Sequence, residues 1–274
     1  MKSWLAGGGI HLLLIAAAGV ASAHAEEVSL RNVAARSSLT HAAQKFSREK
    51  TGHVAFMGGS ITEMNGYRPM VCQWLEQKFP ETKFTFTDAG IASTCSTTGA
   101  FRLQRDVLLH GPVDLFLVEF AVNDDQDAAH VRRDCIRGME GVIRQLKTHN
   151  AEADVAIVYF CNEGMVAKLQ AGETPISIAA HEAVAEHYGV ASVNLAQEVA
   201  QRITDKTLTW KTYGGTHPAP AGNRIAADLT IALLDDAWTK AAGKPSPVVA
   251  LPAPLDEKSY VRGRFVDPST AKSD

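Results

Sequence analysis

The chain reads as a three-layer α/β/α sandwich around a central parallel sheet of about five strands. Three observations predict this. Apolar runs of strand length alternate with helix-like segments from residue 53 to residue 238. The run Val113-Asp-Leu-Phe-Leu-Val-Glu-Phe-Ala-Val122 is apolar almost throughout, the pattern of a strand covered on both faces. Strand, helix and strand in repeated succession imply parallel pairing through right-handed crossovers. A length of 274 residues with 46% hydrophobic content suits one large domain with a full core.

Residues 1–25 have the form of a secretory signal peptide. Lys2 precedes an apolar stretch from Ile10 to Val20, and Ala23-His24-Ala25 before Glu26 fits the small-x-small cleavage rule, with Ala21-Ser22-Ala23 as a second fit. The stretch is short for a membrane span, an uncleaved N-terminal anchor being the alternative, and no cysteine stands at the cleavage site to carry a lipid. The expected location is secreted or periplasmic, with no membrane association after cleavage. An oxidising compartment permits disulfides among Cys72, Cys95, Cys135 and Cys161, but their pairing is not readable; Cys72 and Cys135 fall on apolar helix faces, where a buried thiol is the expected state. The cysteine spacings match no zinc pattern, and no metal or other cofactor is expected. A net charge of −3 spread along the chain gives no footprint for nucleic acid and no polybasic membrane patch.

The main domain is expected over residues 26–243. A short helix over residues 38–47 feeds the strand His53-Val-Ala-Phe-Met57, which stops at Gly58-Gly59 and presents Ser60 at the carboxyl edge of the sheet. A helix follows, with Pro69 in its first turn and Met70, Val71, Trp74 and Leu75 at helical spacing. A strand over residues 83–87 leads into the turn at Gly90, and a helix over residues 97–110 is broken by Gly111-Pro112. The central strand, residues 113–122, delivers Asn123-Asp124-Asp125 to the same edge. A long amphipathic helix over residues 127–149 then carries Val131, Cys135, Met139, Val142, Ile143 and Leu146 as one stripe. Strands at residues 154–160 and 190–193, helices at residues 175–188 and after Asn194, and a last helix over residues 221–238 complete the alternation. Residues 244–274 form a Pro-rich linker and a short tail with a strand-like piece at residues 259–266.

A serine on a Gly-Gly turn between strand and helix can be a nucleophile, cradle a phosphate or cap the helix. The surroundings of four polar points, Ser60, Gly90, Asn123 and His217, resemble the SGNH hydrolases, also known as GDSL-type esterases and lipases. The resemblance rests on Gly58-Gly59-Ser60-Ile61-Thr62, the Gly90 turn, Val122-Asn123-Asp124 and Thr216-His217-Pro218 followed by Gly222, in that order across residues 53–225. It implies a flavodoxin-like fold and a serine esterase. Ser60 would attack an ester carbonyl, His217 would serve as general base, and the N–H groups of Ser60 and Gly90 with the Asn123 amide would form the oxyanion hole. Small acyl esters, acetylated carbohydrates above all, are the substrates implied, with acyl transfer through the same acyl-serine, or a silent carbohydrate-binding domain, as alternatives.

Two positions depart from the family pattern. Gly59 replaces the usual aspartate beside the nucleophile. Gly214 stands three residues before His217, where the family places its third triad member. That leaves a Ser–His dyad or a displaced acid, for which Glu119, Glu63 and Asp124 are candidates. An acid within an apolar strand needs a partner, and Arg68, Arg102 or Arg105 is expected to pair with Glu119, with Arg102 and Arg105 also supporting the Gly90 loop. Asn162, Glu163 and Asn194, at strand ends, are candidate pocket residues. His53, His110, His130, His149, His181 and His187 are expected to be solvated or locally capped.

Overall fold

The computed structural model describes residues 1, 30–36, 39–241, 247–266, 268–270 and 272. The expected signal-peptide core and cleavage sites lie outside the described residues.

Six strands form one sheet: β1 (Val33–Ala34), β2 (Thr51–Gly58), β3 (Lys83–Gly90), β4 (Leu115–Val118), β5 (Asp154–Val158) and β6 (Ala191–Val193). Their spatial order is β1-β6-β5-β4-β2-β3. The five strands from β2 to β6 are all parallel, as the alternation implies, and in that subset the order is that of the flavodoxin-like doubly wound sheet. β1 is the sixth strand, a two-residue antiparallel addition to β6 that is too short to leave a periodic signal. Every residue of β4, β5 and β6 is buried, and β2 is buried beyond Thr51, which is why these segments read as apolar runs. The edge strand β3 instead alternates.

Helices α4 (Ser96–Asp106), α6 (Arg132–His149) and α8 (Ile176–Tyr188) pack in series on one face. On the other face α3 (Tyr67–Lys78) packs against α11 (Pro220–Ala241), beside α1 (Thr40–Gln44) and its wider continuation Lys45–Glu49. Trp238 of α11 locks this layer. Its ring stacks on Trp74, meets Phe46 and Phe79 edge-on, and donates its indole N–H to Leu39 O at 2.6 Å.

Two expected boundaries shift. β4 ends at Val118, and the apolar residues after it turn into α5 (Ala121–Gln126), so Asn123 lies in the first turn of a helix. The strand-like piece at residues 259–266 forms no strand, and it lies across the main domain, against α4 and α6. There Glu140, fully buried on α6, accepts the N–H groups of Leu255 (2.6 Å) and Asp256 (3.0 Å) and the hydroxyls of Tyr188 and Ser259. Arg137 pairs with Asp256 at 2.8 Å, and Gln145 donates to Tyr260 O at 2.8 Å. Hydrogen bonds to side chains of α6 thus do for this segment what a strand ladder would have done.

Candidate active site

In a sheet of this order the strand direction of travel reverses between β2 and β4, and the crevice beyond their carboxyl ends is where ligands bind. Ser60 follows β2 and Asn123 follows β4, so both stand at that crevice. Ser60 opens the short helix α2 (Ser60–Glu63), and its N–H has no preceding turn to bond.

Chain folding brings His217 to the same point. Ser60 Oγ and His217 Nε2 lie 2.7 Å apart, although 157 residues separate them. The approach to His217 is built locally. α10 (Trp210–Tyr213) ends at Gly214 and Gly215, whose φ values of 108° and 87° suit glycine, and these turn the chain back towards Ser60. Ala219 N–H then donates to Tyr213 O at 2.8 Å, and buried Asn223 on α11 donates its amide to Pro218 O at 2.6 Å, which ties the histidine turn to a long helix.

Asn123 is buried and packed against Gly59, where a Cβ would lie only 2.2 Å from Asn123 Oδ1. A side chain at position 59 would press on the Asn123 amide as it is placed here. Asn123 Nδ2 donates one hydrogen to Asp127 Oδ2 at 2.6 Å, which fixes the amide and leaves its second hydrogen for an oxyanion. Gly90 closes β3 opposite Gly58, but its N–H donates to Asp88 Oδ1 at 3.0 Å, and Asp88 is itself paired with Arg68 at 2.6 Å. For the Gly90 N–H to reach an oxyanion, that bond must yield.

None of the three candidate acids bonds the histidine, and among the described residues His217 forms no ion pair. Glu63 is exposed. Asp124 is buried under the start of α4, accepting Ser96 N–H at 2.8 Å, Ser96 Oγ at 2.6 Å and His181 Nε2 at 2.9 Å. Glu119 lies beneath the nucleophile turn, where Oε1 accepts Gly59 N–H at 2.9 Å and Thr62 Oγ1 at 2.8 Å. The arginine pairing expected for Glu119 does not form: Arg68 pairs with Asp88, and Arg102 and Arg105 both pair with Asp106. Glu119 is used instead to hold the turn that presents Ser60. Arg102, buried beside it, donates to Gly58 O at 2.8 Å and Ala89 O at 2.7 Å, so the ends of β2 and β3 are gripped together, in line with the support expected of it.

Burial pushes the Glu119 carboxyl up to about 7, against the pull of its hydrogen bonds from Thr62 and Gly59. Raised above the value of 4.5 that the unfolded chain is expected to show, the group contributes stability that is fully present below pH 4.5 and is lost as pH rises through about 7. The span corresponds to about 3 kcal/mol. Glu119→Gln keeps an acceptor for Gly59 and Thr62 but cannot ionise. Urea unfolding at pH 5 and pH 8 is expected to show a loss of stability in the wild type that the variant lacks; equal slopes would remove the assignment.

Gly214 explains why the acid is absent from its usual position. A Cβ there would lie 1.9 Å from Ala219 N, on a backbone already at positive φ. Gly214→Asp is expected to destabilise the protein by at least about 1–3 kcal/mol without raising kcat, which thermal melting and an ester assay on the same sample would check.

Two of the remaining candidates cap helices. Asn162 and Asn194 cap α7 (Glu163–Gln170) and α9 (Leu195–Thr204), accepting from Met165 N–H at 2.8 Å and Gln197 N–H at 3.0 Å, while Glu163 is exposed. His53 and His181 are buried rather than solvated; His53 bonds Pro112 O and Thr87 Oγ1, and burial lowers its pKa. Sequence reasoning missed Asp127 and Thr62. Thr62 lay within the quoted motif, whereas Asp127, four residues past Asn123, is the helical spacing at which side chains meet. A cavity of about 440 Å³ between Lys147, His187 and Leu251 lies at the amino ends of the strands, away from Ser60.

The model of the GDSL-like lipase/acylhydrolase family matches residues 56–225, the segment that holds Ser60, Asn123 and His217. None of the curated proteins compared with the chain matches it significantly. Among solved structures, a two-domain esterase active on acetylated mannans superposes with a TM-score of 0.69 at 26% identity, over 83% of this chain and 60% of that one. The chain thus spans about 60% of that relative's length. An acetyl xylan esterase of Geobacillus stearothermophilus, Axe2, shares the fold at a TM-score of 0.53 and 17% identity, over 68% of this chain and 96% of its own. A hydrolase from the metagenome of Lake Arreo, Spain, does so at 0.52 and 19%, over 67% and 95%. Axe2 variants at a serine, an aspartate and a histidine are each described as catalytic mutants. With its model matching residues 56–225, most of the sheet and the stretch that holds Ser60, Asn123 and His217, the chain belongs to the GDSL-like lipase/acylhydrolase family.

Proposed function

We propose that this protein is an exported serine esterase that removes small acyl groups, acetyl first among them, from carbohydrate. The observation that carries the reading is the 2.7 Å contact between Ser60 Oγ and His217 Nε2 at the crevice between β2 and β4. A serine hydroxyl is a weak nucleophile until a base takes its proton, and imidazole in hydrogen-bond reach is that base.

In the proposed reaction Ser60 Oγ attacks the ester carbonyl while His217 Nε2 accepts the hydroxyl proton. The carbonyl π pair moves to oxygen, where the Ser60 N–H and the spare Asn123 hydrogen donate to it, a contribution worth about 2.7–4 kcal/mol for one such donor. Collapse breaks the bond to the sugar oxygen, which leaves with the proton from His217. Water, activated by the same ring, then releases acetate and restores Ser60. Among the described residues no carboxylate braces His217, and its orientation rests on the Gly214–Gly215 turn and the Asn223 tie.

Acetylated carbohydrate is supported by the mannan-active relative, also crystallised with mannopentaose, and by the solvent-open setting of the Ser60–His217 pair, which a polymer chain can reach. Export is supported by the form of residues 1–25. The deciding experiment measures free acetate from acetylated mannan and acetylated xylan, with and without an added acceptor sugar. Acetate release independent of acceptor is the expected result. Acetyl appearing on the acceptor would make the protein a transferase, and binding of the polymer with no release would make it a silent binding domain.

A further inference from the structure

A second cluster of reactive side chains stands apart from Ser60 and His217, under the amino end of α4. Cys95, Asp124 and His130 bring a sulfur, a carboxylate oxygen and an imidazole nitrogen within 4.8 Å of one another. We propose that these three residues bind one Zn²⁺, or a divalent transition ion of the same borderline softness, with a water completing the coordination.

The donor set is the first argument. Thiolate, imidazole and carboxylate together suit Zn²⁺, whereas Mg²⁺ and Ca²⁺ call for oxygen ligands throughout. The spacing is the second. Zn–N and Zn–O bonds of about 2.1 Å at a tetrahedral angle put the two donor atoms about 3.4 Å apart. His130 Nδ1 lies 3.4 Å from Asp124 Oδ1, long for a hydrogen bond between them but the spacing the two atoms would have on one ion.

The third argument is the support behind each ligand. Asp124 is held by Ser96 N–H, Ser96 Oγ and His181 Nε2, the kind of outer partners that orient a metal-bound carboxylate. The backbone at His130 is fixed by its N–H to Asp124 O at 2.8 Å and by Cys135 Sγ, 3.8 Å from its carbonyl. Cys95 is the N-cap of α4, and its sulfur lies 3.1 Å from Thr97 Oγ1 and 3.5 Å from Thr98 Oγ1. Cys95 is half-buried and the His130 side chain 16% exposed, while His130 Nδ1 and Asp124 are themselves buried, so the cluster lies just beneath the surface.

The intervals of 29 and 6 residues between these ligands match no metal signature, so the absence of zinc spacing in the sequence does not bear on a site that the fold assembles. The site would tie the loop after α5, which carries Asp127 and hence the Asn123 amide, to the start of α4.

The test uses the full chain after chelator treatment, titrated with Co²⁺ as a coloured stand-in for Zn²⁺. The expected result is a thiolate-to-cobalt charge-transfer band that saturates at one equivalent. It should be lost in Cys95→Ser, weakened at least about tenfold in affinity in His130→Ala, and unchanged in Cys72→Ser and Cys161→Ser. Circular dichroism establishes that each variant is folded, which both partly exposed positions favour. Zn²⁺ is expected to raise the melting temperature of the wild type and not that of Cys95→Ser. No band, a band that survives Cys95→Ser, or a Zn²⁺-dependent melting shift without a thiolate band would each overturn the proposal.

Discussion

Replacing Ser60 by alanine is expected to abolish ester hydrolysis while leaving the fold untouched. The hydroxyl is at the surface of the crevice and bonds His217 alone, so its loss empties no core space and strands no buried group. What disappears is the atom that forms the acyl intermediate. In enzymes of this chemistry, removal of the nucleophile lowers kcat by about four to six orders of magnitude, the remainder coming from oxyanion donors and binding. Acetate release from an acetylated polysaccharide should fall to background, KM for any residual activity should stay near that of the wild type, and covalent labelling by a fluorophosphonate should vanish. Undiminished labelling of Ser60→Ala would place the nucleophile elsewhere and remove the esterase reading.

His217→Ala should be nearly as damaging, for a different reason. The ring is exposed and contributes nothing to the hydrophobic core, so melting temperature and circular dichroism should match the wild type. Without it Ser60 keeps its proton at the moment of attack, and the leaving alcohol receives none. Turnover should drop by about 10⁴-fold or more, and fluorophosphonate labelling should slow rather than vanish, because the serine is present but unactivated. Turnover at the wild-type rate would exclude His217 as the base. The contrast between abolished labelling in Ser60→Ala and slowed labelling in His217→Ala separates nucleophile from base on one gel.

Strands β2, β4, β5 and β6 are legible because they are buried on both faces and apolar over most of their length, and Ser60 is legible from its glycine turn, whereas Asn123 and His217 are picked out by the resemblance to the SGNH hydrolases. β1 escaped notice because two residues have no period. α5 was read as strand because Phe120, Ala121 and Val122 are buried whether the backbone is extended or helical. Composition points to a charged partner for Glu119, but a buried carboxyl is served equally by a backbone N–H and a hydroxyl, as Gly59 and Thr62 serve it here.

The amino-acid order alone determined the parallel α/β sandwich and the candidate nucleophile, because periodicity, glycine turns and residue chemistry are carried by near neighbours along the chain; the base and the vacancy at Gly214 came from the resemblance of its motifs to a family. Only the tertiary structure decided that Ser60 meets His217, that Glu119 and Asp124 are committed away from the imidazole, and that Cys95, Asp124 and His130 converge. Most of these are distances between residues far apart in the sequence, and such distances exist only once strands and helices have packed together.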